Sequence, residues 1–474
     1  MMTERRFDKL YVDGQWIDGA SRQWIEVENP FTQEIIARVP RGDAADVDKA
    51  ARAARRAFPY WAAVPLSERM ELMEKFLEIF RSQEDELTDL IVQELGVPSA
   101  FARSSQVQYQ YVRVRSYIDT APTVPFVEKM PQSTTYRHPV GVIGCITPWN
   151  YPLGQVVQKV VPALLMGNTV VLKPSQQTPL SCYLLAEAFD QAGFPAGTFN
   201  LVTGRGAEVG DAMAAHPEVD MISFTGSTSG GVKVAQNALA GVKHISLELG
   251  GKSPCVLLPG APYEQAVRAC FNTIFLNSGQ TCTALSRLIV PQADQSAIEE
   301  IMRKLVTEYV VGDPHDPKSK VGPVASRAQF TKIKACIEQG LSEGAKILVG
   351  GVPEEGHGYF VEPTIFTQVA NTMGIARQEI FGPVLSVLAY DTPEEALAIA
   401  NDTSYGLNAA VWGEKQAAIA FARKLESGNV YINDGPRDTA APFGGWKQSG
   451  LGREGGLYGL LEFTQQQALF DCGN

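Results

Sequence analysis

Cys282 lies in the turn Asn277-Ser278-Gly279-Gln280-Thr281-Cys282-Thr283, among small polar neighbours. A cysteine buried in apolar surroundings is an inert small hydrophobe, whereas a thiol in a polar, glycine-containing turn has the setting of a nucleophile. Earlier in the chain comes Glu248-Leu249-Gly250-Gly251-Lys252-Ser253-Pro254. A carboxylate at a strand end, partly desolvated, suits a general base; the same residue also reads as a surface carboxylate beside a turn. Asn150, in Thr147-Pro148-Trp149-Asn150-Tyr151-Pro152, either bonds its own turn or offers amide N–H groups to a developing oxyanion. Together, a thiol, a carboxylate and an amide are sufficient for acyl chemistry through a covalent intermediate.

Other loops have the composition of a nucleotide site. Lys173-Pro174-Ser175-Gln176 supplies a cation and neutral polar groups. Phe224-Thr225-Gly226-Ser227-Thr228-Ser229-Gly230-Gly231 opens a helix, where free N–H groups and glycines let a pyrophosphate approach, although the usual Gly-x-Gly-x-x-Gly spacing is missing. Glu379-Ile380-Phe381-Gly382-Pro383 puts a carboxylate and an aromatic ring before an apolar strand. Pro442 to Gly450 is glycine-rich and also reads as a connection that closes a lobe.

The elements that carry these loops alternate. Apolar, β-branched runs at Val140 to Ile146, Thr169 to Leu172, Phe199 to Val202, Asp220 to Phe224 and His244 to Leu247 are separated by helical stretches. Such units build a doubly wound parallel sheet that binds ligands beyond its strands' carboxyl ends. Thr178 and Pro179 supply a cap and first-turn proline, and Gly193 with Pro195 a stop. A second α/β lobe runs from about Pro254 to Gly445, with strands near Arg287 to Val290, Ile347 to Val349, Val384 to Leu388, Ala409 to Trp412 and Val430 to Ile432. Two lobes imply a cleft between them.

Before these lobes, Leu10 to Val12 and Gln15 to Ile17 flank the turn dipeptide Asp13-Gly14. The rest of the first 120 residues reads mainly as helices; Ser67 caps one whose apolar stripe is Met70, Met73, Leu77 and Phe80. The proline-containing stretch Asp119 to Arg137 reads as an apolar hairpin arm that contacts another subunit, as does the tail through Leu460, Leu461 and Phe463.

The 474 residues, 45% hydrophobic and 20% charged, are enough for two or three domains with real cores. A net charge of -11 argues against nucleic acid as partner. No apolar run is long enough for a bilayer span, and no apolar signal region follows Glu4, Arg5 and Arg6, so a cytoplasmic protein is expected. Seven scattered cysteines (145, 182, 255, 270, 282, 336, 472) without a Cys-x-x-Cys pair argue for reduced thiols and no zinc site. Five histidines (138, 216, 244, 315, 357), none sharing a helix face, leave little for a metal centre or a Ser-His-Asp triad, so no metal is expected.

In their order and approximate spacing, these motifs resemble those of the aldehyde dehydrogenase superfamily over essentially the whole chain. The resemblance implies a Rossmann-like doubly wound cofactor domain (1–118 and 138–250), a second α/β catalytic domain (251–445), and a small β oligomerisation arm and tail (119–137 and 446–474). It implies that Cys282 is the nucleophile, Glu248 the general base, and Asn150 with the Cys282 backbone N–H the oxyanion hole. An aldehyde would be oxidised to an acid through a thiohemiacetal and a thioester, which water then cleaves. The expected cofactor residues are Ile146, Thr147, Pro148, Trp149, Lys173, Ser175, Gln176, Gly206, Phe224, Gly226, Ser227, Leu249, Gly250, Glu379 and Phe381. Among them Lys173 and Gln176 would face the adenine ribose, Ser227 the pyrophosphate, and Glu379 with Phe381 the nicotinamide ribose.

Many family members have a glutamate where this chain has Gln176, and a neutral amide does not repel a 2'-phosphate, so both NAD and NADP are expected to serve. Relatives that pass the acyl group to coenzyme A typically lack a glutamate at the position of Glu248, which favours water as acceptor here. The intact Cys282, Glu248 and Asn150 argue against a silent scaffold. Tyr151, Trp149 and Phe443 suit the wall of an aromatic tunnel for an apolar aldehyde. Arg437 could reach a distal carboxylate, but a solvated arginine is the preferred reading. Family members are dimers or tetramers, so a homodimer or homotetramer is expected.

Overall fold

The computed structural model describes residues 7–470, so the start at Glu4, Arg5 and Arg6 and the seventh cysteine, Cys472, lie outside the described residues. Its centre is an eight-stranded sheet in the spatial order Gln15–Ile17, Leu10–Val12, Phe199–Leu201, Thr169–Lys173, Val142–Ile146, Met221–Thr225, His244–Glu248 and Gly450–Leu451. The five strands from Phe199–Leu201 to His244–Glu248 are parallel, and the outer ones antiparallel. Every residue of Val142–Ile146, Thr169–Lys173 and Met221–Thr225 is buried, as expected for strands covered by helices on both faces. The chain steps outward on one side of Val142–Ile146 and then returns to its other side, so a switch in strand order places the loops carrying Asn150, Lys173 and Gly226 along one carboxyl edge.

The second lobe is a seven-stranded sheet: Lys346–Val349, Thr364–Thr367, Val384–Tyr390, Arg287–Pro291, Pro254–Leu257, Asn408–Trp412 and Asn429–Ile432. It is parallel except for its first strand, and separate apolar clusters cover its two faces. A third, three-stranded sheet joins Val127–Lys129, Thr134–Pro139 and Thr464–Leu469.

Several expectations need correction. The helix containing the Met70 stripe spans Leu66–Ser82 and starts after Pro65, so Ser67 lies inside its first turn and caps nothing. Thr178 does not cap the helix Leu180–Gln191: its hydroxyl donates to the Trp149 carbonyl, while the buried Glu94 carboxylate accepts from the N–H groups of Leu180 (2.7 Å) and Ser181 (3.3 Å). The stretch 24–40 is a hairpin, Trp24–Glu28 with Ile35–Pro40, rather than part of a helical region. Its turn is built by Asn29 Oδ1 accepting from Phe31 and Thr32 N–H and by Gln33 at φ +61°, without the glycine that usually signals such a turn. The arm hairpin occupies 127–139, the residues before it closing a helix. Leu460 and Phe463 do not form an exposed apolar tail but are 0% and 2% exposed in the first lobe's own core, and Gly450–Leu451 completes the first sheet.

Asn168, fully buried, fastens these parts: its Oδ1 accepts from Gly141 N–H (2.9 Å), and its Nδ2 donates to the Ala163 and Phe463 carbonyls (3.0 and 2.9 Å). Replacing Asn168 by alanine strands buried polar groups, so a loss of about 2–4 kcal/mol is expected, read as a lower midpoint in thermal or urea unfolding; an unchanged midpoint would contradict this role.

Candidate active site

The turn carrying Cys282 has unusual backbone geometry: Asn277, Ser278 and Gly279 take φ of +55°, +53° and +72° in succession. Left-handed non-glycine residues persist only where their surroundings hold them. Here the Ser278 hydroxyl donates to the Gly322 carbonyl (2.8 Å), and Gln280 donates to the Asn277 carbonyl while accepting from Ala325 N–H (2.8 Å). At Gly279 a Cβ would fall 2.1 Å from the Gly382 carbonyl oxygen, so no side chain fits.

Asn150 reaches this turn from the first sheet. Its Nδ2 donates to the Gln280 carbonyl at 2.8 Å, while its backbone carbonyl accepts from Gln106 Nε2 (3.0 Å) and Asn277 Nδ2 (3.1 Å). One amide hydrogen of Asn150 is thereby used for alignment, and the second is left for the cavity it lines with Cys282. The Tyr151 hydroxyl lies 3.1 Å from the Thr281 hydroxyl.

Glu248 ends its strand with both carboxylate oxygens buried and unpartnered, and Gly444 makes room for it: a Cβ there would lie 2.8 Å from Glu248 Oε1. Burial, reinforced by Glu454, holds the Glu248 carboxyl well above its ordinary value, against the pull of Lys159 and Arg453. Burial also pushes the Cys282 thiol up to about 12; the nearby carboxylates of Glu248 and Glu379 add to it and Arg437 opposes it. Glu454 itself is neutralised by the buried Lys159 (2.5 Å) and by Gln158 (2.9 Å).

Cys282 lines two cavities. One, of 160 Å³, is walled by Pro148, Trp149, Asn150, Thr225, Gly226, Ser227, Leu249, Gly250, Gln329, Lys332, Glu379 and Phe381. The other, of 280 Å³, is walled by Tyr109, Arg113, Tyr151, Gln158, Arg437 and Phe443 among others. Cys282 is the one residue common to both.

The first cavity has the features a dinucleotide needs. The Glu379 carboxylate sits against two glycines: it accepts from Gly251 N–H (3.0 Å), and a Cβ on Gly250 would lie 2.3 Å from it. A Cβ on Gly226 would meet the Phe224 ring at 2.6 Å. Ser227 caps the twelve-residue helix Thr228–Leu239 by accepting from Gly230 N–H, so that helix's positive end opens beside the cavity. Thr225 Oγ1 is buried without a partner, and Trp149 meets Phe381 edge to face with ring centroids 5.3 Å apart.

Of the expected cofactor residues, Pro148, Trp149, Gly226, Ser227, Leu249, Gly250, Glu379 and Phe381 meet on this cavity. Ile146, Thr147, Lys173, Ser175, Gln176, Gly206 and Phe224 do not line it. They lie further along the carboxyl edge: Ile146 is in register with Lys173 and Phe224, and Thr147 N–H donates to the Lys173 carbonyl (3.1 Å). Lys173 Nζ donates to the Pro174 carbonyl (2.8 Å), and burial lowers its pKa to about 8. Gln176 is exposed, and Gly206 opens the turn Gly206–Gly210. Trp149 is not part of the tunnel wall with Tyr151 and Phe443, being on the opposite side of Cys282. Arg437 is exposed, as a solvated arginine would be, and it also lines the Tyr151 side.

Sequence reasoning missed Gln106, Asn277, Gln329 and Lys332. Gln106 lies in the π-helical segment Ala102–Gln108, whose extra backbone residue per turn has no sequence signature. Gln329 donates to the Phe381 carbonyl (2.8 Å) and Lys332 to the Glu379 carbonyl (2.9 Å). Their three-residue spacing on the helix Arg327–Ser342 marks a shared face but not what that face meets.

Comparison with known proteins agrees with this geometry. The sequence model of the aldehyde dehydrogenase family matches residues 16–469. A 3-succinoylsemialdehyde-pyridine dehydrogenase from a Pseudomonas species is 43% identical over 473 residues, covering 98% of each chain. The solved structure of aldehyde dehydrogenase C from Pseudomonas syringae, a cysteine-to-alanine mutant complexed with NAD+ and octanal, is 42% identical, with a TM-score of 0.98 over 100% of this chain and 99% of that one. An aldehyde dehydrogenase from Bacillus cereus in complex with NAD+ is 37% identical, with a TM-score of 0.95 over 98% and 96% of the chains. On this match, which takes in both sheets and the turn around Cys282, the chain belongs to the aldehyde dehydrogenase family.

Proposed function

We propose that the chain oxidises aldehydes to carboxylic acids, with a nicotinamide dinucleotide as hydride acceptor and Cys282 as the covalent nucleophile. The observation that carries this reading is the place of Cys282 as the single residue shared by the two cavities, one lined like a cofactor site and the other open to a substrate. In this reading the first lobe holds the dinucleotide, the second carries the thiol, and the hairpin 127–139 with the strand Thr464–Leu469 that pairs with it joins copies into a homodimer or homotetramer. Exposed Val127, Met130, Leu469 and Phe470 on and beside the arm sheet support self-association there. No helix among the described residues is long and apolar enough to cross a membrane.

The cofactor-side groups fit a dinucleotide: Ser227 and its helix end would hold the pyrophosphate, Glu379 against Gly250 and Gly251 would take ribose hydroxyls, and Trp149 with Phe381 would bound the nicotinamide end. When bound, the dinucleotide supplies the acceptor for the aldehyde's hydride. The chain's own residues do the rest. Cys282, once deprotonated, attacks the carbonyl carbon, and the oxygen that gains charge takes hydrogen bonds from the second Asn150 amide hydrogen and the Cys282 backbone N–H. Glu248, whose raised proton affinity suits it as a base, takes a proton from the water that cleaves the thioester.

The raised thiol sets a pH dependence. Below its pKa the unreactive protonated form of Cys282 dominates, so alkylation by iodoacetamide should accelerate by about tenfold per pH unit from pH 7 to 9. Glu248→Gln, which removes a carboxylate opposing the thiolate, should speed alkylation at fixed pH; a plateau near pH 8 would show instead a thiol already ionised at neutrality.

In rapid mixing with an aldehyde, Glu248→Gln should keep the first burst of reduced cofactor but lower steady turnover by about 10²-fold or more, and Cys282→Ala should abolish both. Equal loss of burst and turnover in Glu248→Gln would remove Glu248 from thioester hydrolysis, and activity in Cys282→Ala would remove the nucleophile.

Exposed and uncharged, Gln176 leaves a 2'-phosphate unopposed near Lys173. Both NAD and NADP should therefore turn over, and Gln176→Glu should depress kcat/KM for NADP by about tenfold while sparing NAD. Complete absence of NADP turnover in the parent protein would refute this role for Gln176.

A further inference from the structure

Beyond Tyr151 the Cys282 cavity opens into a third of 310 Å³, with which it shares Tyr109, Arg113, Gln158, Arg437 and Phe443. Arg113 comes from the helix Tyr109–Thr120 and Arg437 from the loop after Asn429–Ile432, so the two guanidinium groups approach this junction from different lobes. Both lie over aromatic rings. Arg113 lies 4.8 Å from the Tyr109 centroid, and Arg437 lies 5.8 Å from the same ring and 5.2 Å from Phe443.

Neither arginine is neutralised. Among the described residues no carboxylate lies within 4 Å of either guanidinium, and the one side-chain hydrogen bond of Arg113 goes to the neutral Gln110 Oε1 (2.9 Å). Of the carboxylates nearby, Glu454 is held by Lys159 and Gln158, whereas Asp438, exposed on the rim of the third cavity, has one oxygen accepting from Ala440 N–H (2.9 Å) and makes no ion pair with either arginine. Two like charges beside one ring repel unless an anion joins them; Arg437 is exposed whereas Arg113 is half-buried, and burial with Arg437 nearby lowers the Arg113 pKa to about 10. Tyr109, which lines both cavities, has a buried hydroxyl with no partner. A guanidinium over an aromatic ring can still present N–H groups to a planar carboxylate.

We propose that Arg113 and Arg437, with the Tyr109 hydroxyl, form a distal-anion subsite, and that the preferred substrates are aldehydes carrying a carboxylate at the end away from the carbonyl. This rests on the oxidation at Cys282 proposed above and specifies its substrate class.

The test uses the full-length protein with oxidised cofactor and ω-oxo carboxylic acids of increasing length, beginning with 4-oxobutanoate, each against the unbranched aldehyde of equal length. At the length that spans the passage, kcat/KM should favour the acid by tenfold or more, chiefly through KM, and added salt should raise KM for the acid alone. Arg437→Gln and Arg113→Gln should each cut that ratio by about tenfold. A ratio of one or less at every length, or a ratio that survives in both variants, overturns the inference. A second arm does not depend on turnover: pentanedioate, which has no reactive carbonyl, should slow iodoacetamide alkylation of Cys282 several-fold in the parent protein but not in Arg437→Gln. Protection without oxidation of any aldehyde would keep the subsite and defeat the proposed activity, whereas oxidation of simple aldehydes without protection would do the reverse.

Discussion

One hydrogen bond across the lobes, from Asn150 Nδ2 to the Gln280 carbonyl, fixes where Cys282 sits relative to the first sheet. Each end is over-determined. Gln106 and Asn277 both donate to the Asn150 carbonyl, and the turn on the other side runs through three consecutive left-handed residues that Gly322, Ala325 and the bare Cα of Gly279 hold in place. The side-chain amide that donates to the Gln280 carbonyl therefore springs from a backbone held on both sides of the lobe junction, which limits how far it can swing away from the turn.

Around the thiol the electrostatics are set against charge. Glu248, Glu379 and Glu454 surround a half-buried cysteine, and only Glu454 has a cation in direct contact. Such an arrangement raises the proton affinity of both Cys282 and Glu248, and a thiol that is harder to ionise is slower to oxidise or alkylate adventitiously. Reactivity then depends on what enters the two cavities and on where one proton goes.

Much of this was legible in the residues. The β-branched runs marked the central strands to within a residue or two, since buried parallel strands need little beyond continuous apolar character. Cys282 stood apart from Cys145, Cys182, Cys255 and Cys270 by its polar neighbours, and those four are indeed fully buried in the core. What stayed hidden was non-local. Nothing near Thr178 shows that Glu94, on another helix, takes the N–H groups of Leu180 and Ser181. Pro254–Leu257, four residues beginning with proline, gave no sign of being a central strand until its neighbours Arg287–Pro291 and Asn408–Trp412 closed on it. The placement of Arg437 over Phe443 likewise depends on how the loop after Asn429–Ile432 folds back, which local composition does not encode.

The edge strand Gly450–Leu451 reaches the first sheet only after the chain has built the entire second lobe, and it pairs with the strand that ends in Glu248. A nascent chain emerging from the ribosome therefore exposes that strand edge until the whole second lobe has been made. The first lobe cannot mature as a free-standing unit ahead of its neighbour, and excising it as a fragment would leave an open, adhesive margin beside the carboxylate that the finished protein keeps dry.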